Sequence, residues 1–243
     1  MKLIIVRHGD PDYENDSLTE KGCREASLLA DRLSELDIKA FYCSPLGRAQ
    51  KTASYTLEKM GRTAETCGWL REFNAALVKD PFTGEDHIVW DQLPEYWTKI
   101  PEFYDKDKWL DTGLVRGTGI PAEAEKVCAG LDEVIARHGY RREGNYYRAG
   151  EPNKDIIVMF CHFGVTCVML GHLLGISPMT LWHGAVTLPT SVTTLTTEER
   201  REGIAYFRMS GLGDISHLYA GREEPSFSAR FCEIWSDMSE RHD

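Results

Sequence analysis

The chain has 243 residues, of which 42% are apolar and 27% charged, the proportions of an ordinary globular protein with a sizeable core. Its formal net charge of −10 argues against a general nucleic-acid binder, because a phosphate backbone calls for a basic face. No run approaches the roughly 20 apolar residues that cross a bilayer, so no membrane partner is expected.

The first element is a strand over 2–6, where Leu3-Ile4-Ile5-Val6 is apolar and mostly β-branched. This run is too short for a signal peptide, and no leader is expected. It breaks into Arg7-His8-Gly9, a cation, an imidazole and a glycine at a strand end, where open α/β sheets place their ligands. A polar loop over 10–17 follows. Thr19-Glu20-Lys21-Gly22 then opens a helix whose Ala26, Leu28, Leu29, Leu33 and Leu36 keep helical spacing.

A second strand over 39–43 ends at Ser44-Pro45. The next helix, over 46–60, carries Arg48 in its first turn and stops at Gly61. A cation in a first turn opposes the helix dipole, and a bound anion would compensate it. A short strand over 64–67 leads to Trp69-Leu70-Arg71-Glu72-Phe73.

From 74 to 115 the periodicity loosens. Trp90, Tyr96, Trp97, Phe103, Tyr104 and Trp109, punctuated by three prolines, read as an inserted helical cap. Those aromatics serve either the cap's own core or a substrate. Nine acids face four lysines there, a net of about −5 that disfavours a second phosphate.

Pro121 starts a helix over 122–138 that Gly139 ends. A polar hairpin or loop over 141–154 precedes the most apolar strand, 156–161. That strand runs into His162-Phe163-Gly164 and a helix over 165–174. Strands over 191–197 and 204–209 complete a mainly parallel sheet covered on both faces. Thr190 and Ser191 open the first of them and are expected to line the pocket. His87, His138, His172, His183 and His242 receive no functional role. Seven cysteines without a CxxC pair offer no disulfide framework or zinc spacing, and a reducing cytoplasm suits them.

Arg7-His8, Arg48 and His162 thus fall at the C-terminal ends of strands, which converge on one crevice in an open α/β sheet. Two guanidinium forks and two imidazoles there make a pocket for a tetrahedral dianion.

With these motifs the chain resembles the histidine phosphatase superfamily, the phosphoglycerate mutase-like proteins. The residues that carry the resemblance are Arg7-His8-Gly9 with Leu18-Thr19-Glu20-Lys21-Gly22, the run from Ser44 to Ala53, Leu70-Arg71-Glu72 and Cys161-His162-Phe163-Gly164. His217, in Gly213-Asp214-Ile215-Ser216-His217-Leu218, is similar to a late structural motif of the family.

The resemblance implies a three-layer α/β/α fold, with 1–243 as a single domain and a cap insertion at about 74–115. It implies a metal-independent phosphomonoesterase without cofactor, acting on a small phosphorylated substrate. His8 would be the nucleophile that becomes phosphohistidine, and Arg7, Arg48 and His162 the phosphate clamp. Glu72 would be the general acid, with Asp80, Glu85 and Asp86 of the cap as alternatives. Phe163 stands where the other branch of the family keeps its acid, which favours Glu72. Asn15 is assigned to the phosphate, although Glu14 holds the expected register. A phosphoglycerate mutase-type phosphotransferase is the alternative reaction, and a non-catalytic phospho-ligand binder the third reading.

Overall fold

The computed structural model describes residues 1–228 and 230–239, so His242 lies outside the described residues. The chain begins with β1 (Lys2–Arg7), then the short pair β2 (Pro11–Asp12) and β3 (Ser17–Leu18). Next come α1 (Glu20–Ser34), β4 (Ile38–Cys43), α2 (Gly47–Met60) and β5 (Glu65–Thr66). Residues 74–115 hold a two-stranded ladder, β6 (Val78–Lys79) with β7 (Asp86–His87), and one short helix, α3 (Pro94–Trp97). After them come α4 (Ile120–Arg137), β8 (Tyr140–Glu143), β9 (Tyr146–Ala149), β10 (Ile156–Cys161) and α5 (Phe163–Leu174). The last elements are α6 (Pro178–Gly184), β11 (Val192–Arg201), β12 (Ile204–Asp214) and α7 (Ser216–Gly221).

Eight strands form one sheet in the order β5-β4-β10-β1-β11-β12-β9-β8. The expected α/β/α layering follows from period-two alternation along the central strands. Ile4 and Val6 of β1, with Val158 and Phe160 of β10, pack on Leu29 and Leu33 of α1 and Ala49 and Ala53 of α2. Leu3 and Ile5, with Ile157, Met159 and Cys161, face Val127, Leu131 and Val134 of α4 and Val165 and Val168 of α5. Both faces are buried, which is why these central strands are continuously apolar rather than alternating with polar residues.

The parallel pairing covers β5, β4, β10 and β1. Beyond β1 the sheet turns antiparallel through β11, β12, β9 and β8. Hairpins cause the change. Gly203 and Gly144, both at positive φ, let β11–β12 and β8–β9 reverse tightly, whereas parallel strands need a crossover helix. The polar 141–154 run is therefore a hairpin that extends the sheet edge.

Helix ends follow local chemistry. The Thr19 side chain accepts from Gly22 N at the start of α1, and Gly61 closes α2 at φ 62°. Residues 74–115 are less helical than expected: Pro94 and Pro101 each begin only a single turn. Their aromatics form a core against α6, with Trp109 edge-on to Trp182 at 5.5 Å and Trp97 stacked on His183 at 5.0 Å.

Candidate active site

The central parallel pair brings the two histidines together. Arg7 is the register partner of Cys161, so the next residue on each strand, His8 and His162, leaves the sheet at the same edge. Their ring centroids are 5.1 Å apart, and both side chains are buried, at 1% and 0% exposure. Two glycines let the loop after β1 descend onto α1. A Cβ on Gly9 would lie 2.8 Å from Gly22 O, and one on Gly22 would lie 2.3 Å from Asp10 O. Gly9 N donates to Thr52 Oγ1 at 3.0 Å, and that hydroxyl donates to Arg48 O at 2.7 Å, which joins this loop to α2.

Hydrogen bonds orient both imidazoles and select the tautomer of His8. His8 Nδ1 sits 2.8 Å from Gly9 O, a carbonyl that can only accept, so Nδ1 carries the proton and Nε2 keeps its lone pair. His162 Nε2 meets Ser44 Oγ at 2.7 Å, while that oxygen accepts from Leu46 N at 3.2 Å. Ser44 Oγ can donate to Nε2, which would leave the proton of a neutral ring on Nδ1, or accept from a protonated Nε2 through its second lone pair. His162 Nδ1 is buried without a protein partner.

The arginines repeat this pattern of one end tied and one end free. Arg7 Nη1 donates to Thr187 O at 2.6 Å, and Arg48 Nη1 to Asp16 Oδ1 at 2.7 Å. Both Nε atoms are buried with no protein partner. Asp16 is fixed in turn by Gly47 N, which donates to its Oδ2 at 2.6 Å. A Cβ on Gly47 would lie 2.1 Å from Asp16 O, so only glycine admits this approach. Buried donors without acceptors are costly, and these two arginine Nε–H groups, with the unpartnered His162 Nδ1 beside them, describe a seat for an anion.

Glu72 enters from the loop after β5 and is 8% exposed. Its Oε1 accepts from Phe73 N at 2.8 Å and from Val165 N, in the first turn of α5, at 3.2 Å. Gly164 makes room: a Cβ there would come within 2.6 Å of that same oxygen. Trp90 Nε1 donates to Phe73 O at 2.9 Å, which pins the strap that carries Glu72.

Burial and mutual charge move these groups in a consistent direction. His8 is held well below its ordinary pKa by burial first, then by Arg7 and Arg48. His162 is lowered similarly by burial, His8, Arg48 and Arg7. Burial raises Glu72 despite the opposing hydrogen bonds from the backbone and the nearby arginine charges. Two imidazoles are thus kept neutral and one carboxyl is biased toward its protonated form.

Arg7, His8, Arg48, Glu72 and His162 are therefore brought together. Asn15 is not: its side chain is exposed and donates to Asp12 Oδ2 at 2.8 Å. The next residue, Asp16, is the one that reaches Arg48. Glu85 and Asp86 are exposed and Asp80 is half-buried on the β6–β7 hairpin, where Asp80 accepts from Phe82 N and Thr83 N and Asp86 pairs with Lys79. Thr190 N donates to His8 O at 3.0 Å, and Ser191 O accepts from Arg7 N at 3.2 Å, so both meet the site through their backbones. Thr190 holds a positive φ of 56°, with His217 Nε2 beside its hydroxyl at 3.1 Å. Asp16 and Thr187, which the sequence did not single out, and Ser44 and Thr52, which it placed in the Ser44-to-Ala53 run without a role, complete the site. A charge-balance search for the partner of Arg48 would have raised Asp16.

A cavity of about 750 Å³ lies elsewhere, between α4, α5 and the β8–β9 hairpin, and holds none of these residues. Beside it Arg142, Tyr147, Asp132 and His172 satisfy one another, with Tyr147 Oη on Asp132 Oδ1 at 2.7 Å and His172 Nε2 on Oδ2 at 2.9 Å. Among the described residues no group of three or more His, Cys, Asp or Glu is placed to hold a metal ion, and no helix is long and apolar enough to cross a membrane.

Comparison with known proteins agrees with this fold. The model of the histidine phosphatase superfamily (branch 1) matches residues 3–209, and the chain belongs to that family. It is 38% identical over 77 residues to a 2,3-bisphosphoglycerate-dependent phosphoglycerate mutase of Thermoplasma acidophilum, covering 27% of this chain and 38% of that one. It is 27% identical over 154 residues to phosphoserine phosphatase 1 of Hydrogenobacter thermophilus, covering 57% and 66%. The matches thus span less than two thirds of either relative's length.

Among solved structures, a phosphoserine phosphatase mutant of Entamoeba histolytica in complex with phosphoserine superposes with a TM-score of 0.59 at 19% identity, over 89% of this chain and 98% of that one. A mycobacterial glucosyl-3-phosphoglycerate phosphatase gives 0.58 at 20% identity, over 87% and 98%. These likenesses establish the shared fold.

Proposed function

We propose that this protein is a metal-independent phosphomonoesterase that works through a phosphohistidine on a small phosphorylated substrate. The observation that carries the reading is the set of buried, unpartnered groups around His8: the donors Arg7 Nε and Arg48 Nε and the ring nitrogen His162 Nδ1, beside an Nε2 lone pair freed by the bond from Nδ1 to Gly9 O. In this reading residues 74–115 cap one domain spanning 1–243, and seven free thiols suit a reducing cytoplasm.

The chemistry divides into two displacements. His8 Nε2 attacks phosphorus as the P–O ester bond breaks, and the Glu72 carboxyl gives its proton to the departing oxygen. The clamp donors stabilise the equatorial oxygens through a loose transition state, where positioning and charge do most of the catalysis. Glu72, now a carboxylate, takes a proton from water. That water's oxygen attacks phosphorus, the P–N bond breaks, and orthophosphate leaves with His8 neutral again. The depressed His8 pKa keeps the attacking imidazole unprotonated at neutral pH.

The test is a panel of phosphomonoesters, including phosphoserine and 3-phosphoglycerate, assayed in chelator for phosphate release and for conversion of 3- to 2-phosphoglycerate. Wild type is expected to release phosphate. His8→Ala should lose roughly 1000-fold or more of that activity. Acid-labile phosphate should be trapped on the wild type alone. Turnover by His8→Ala at near wild-type rate would refute the mechanism, and isomerisation without release would move the protein to the mutase reading.

A further inference from the structure

Tyr13 follows β2, in the four-residue turn that joins it to β3. Asp12 braces this turn by accepting from Asn15 N at 3.2 Å and Asn15 Nδ2 at 2.8 Å. Asp16 anchors its far end on Arg48 and Gly47 N. A turn held at both ends presents Tyr13 outward, 65% exposed. An aromatic ring this open gains little from burial, so core packing does not account for its place. It lies instead against the site's two arginines. Its ring centroid is 5.4 Å from Arg48 Cζ, and it is near enough to Arg7 to interact with that charge.

Both guanidiniums have a buried Nε with no partner, and they flank the imidazole whose Nε2 is free. The phenol therefore stands over the mouth of the anion seat. A phenolic hydroxyl beside two guanidiniums, which can only donate, has its own hydrogen to offer to another acceptor. A phosphoryl oxygen lying between Arg7 and Arg48 is that acceptor, and a charge-assisted bond to it is of the stronger kind. The exposed ring face remains for the leaving group.

Taking the phosphatase reading of this site as its premise, we propose that Tyr13 is a substrate-binding residue whose hydroxyl donates to the phosphoryl group while its ring forms one wall of the entrance. The four-residue turn serves as a preformed rim rather than as a connection between strands.

The test compares wild type, Tyr13→Phe and Tyr13→Ala. The probes are p-nitrophenyl phosphate for KM and kcat, orthophosphate for the competitive inhibition constant, and calorimetric titration with orthophosphate for binding without turnover. Tyr13→Phe should raise KM and the orthophosphate constants about 5- to 20-fold and change kcat less than about 3-fold, which fits one lost bond to a charged group. Tyr13→Ala should raise KM further. Thermal unfolding of Tyr13→Phe should match wild type, because the residue is largely in solvent.

A ring that only packs on Arg48 would leave Tyr13→Phe at wild-type KM and orthophosphate affinity, and that result would overturn the proposal. Tighter orthophosphate binding by Tyr13→Phe would overturn it too, since the hydroxyl would then be a competitor for Arg7. If wild type neither turns over the ester nor binds orthophosphate, the phosphatase reading falls first and this proposal with it.

Discussion

Glu72 and Glu25 are the two buried carboxyl groups among the described residues, and their surroundings differ in instructive ways. Glu25, on α1, is fully buried beneath the loop that follows His8, and burial pushes its pKa up to about 7. Its Oε2 accepts from Asp10 N at 2.9 Å, its Oε1 has no partner, and the nearest cation, Lys21, is 3.9 Å away. The closest charged neighbour on the loop is another acid, Asp10. That group accepts hydroxyls from Thr19, Ser226 and Ser228, so the chain end is tied to the same point.

Glu72 is raised by burial as well, but its neighbours are Arg7 and Arg48. Both of its backbone hydrogen bonds fall on Oε1, and Oε2 accepts none among the described residues. Equal burial therefore yields two different groups. One carboxyl is locked under a loop. The other carries a free oxygen beside a cationic seat. A raised carboxyl pKa alone does not identify an acid catalyst; what faces the group decides.

The largest expected effect separates the two directly. Glu72→Gln should lower the hydrolysis of an alkyl phosphomonoester about 100- to 10000-fold. It should slow p-nitrophenyl phosphate far less, because that leaving group needs no proton. The alkaline fall of kcat, which reports loss of the Glu72 proton, should vanish in the variant. Equal losses on both substrates would remove Glu72 from its role.

Gly164→Ala probes the same oxygen from the other side. The added methyl would crowd Glu72 Oε1 at 2.6 Å and Trp90 Nε1 at 2.8 Å, so one of them must move. Turnover should fall about 10- to 100-fold, with a stability loss of about 1–3 kcal/mol in chemical denaturation. Unchanged kinetics would mean that the position of Glu72 is not critical.

The smallest effect belongs to Glu25 and appears in stability. Its folded pKa, about 7, lies above the ordinary carboxylate value of 4.5, so ionisation favours the unfolded chain. The cost is absent below the unfolded value, grows as pH rises between the two, and is complete above about 7. Glu25→Gln removes the ionisation and can still accept from Asp10 N. It should therefore unfold at a temperature a few degrees above wild type at pH 8 and at the same temperature at pH 4.5. Turnover should change little. A variant less stable than wild type at pH 8 would mean that the long contact to Lys21, at 3.9 Å, outweighs the cost of burying the charge.

Much of this molecule was legible before any coordinates. Apolar strands ending in Arg7-His8-Gly9 and in Cys161-His162-Phe163 reveal themselves through short continuous apolar runs and an abrupt change of chemistry. Arg48 stands out because it opposes a helix dipole. The Thr19 cap and the Gly61 stop are local signals, and local signals survive in one dimension. Asn15 shows the limit. Loop register cannot be read from residue type, and here the turn spends Asn15 on Asp12 while its neighbour Asp16 reaches Arg48. The β8–β9 hairpin, left open between hairpin and loop, is resolved only by its pairing with β12.

Residue order alone therefore determined the layered fold, the strand ends and the identity of the two imidazoles and two guanidiniums, because burial periodicity and helix capping act over a few residues. Tertiary structure decided which nitrogen of each histidine is free, which donors lack partners and which carboxyl faces cations. Those properties depend on groups far apart in the chain meeting at hydrogen-bond distance, where position within a few tenths of an ångström sets the chemistry.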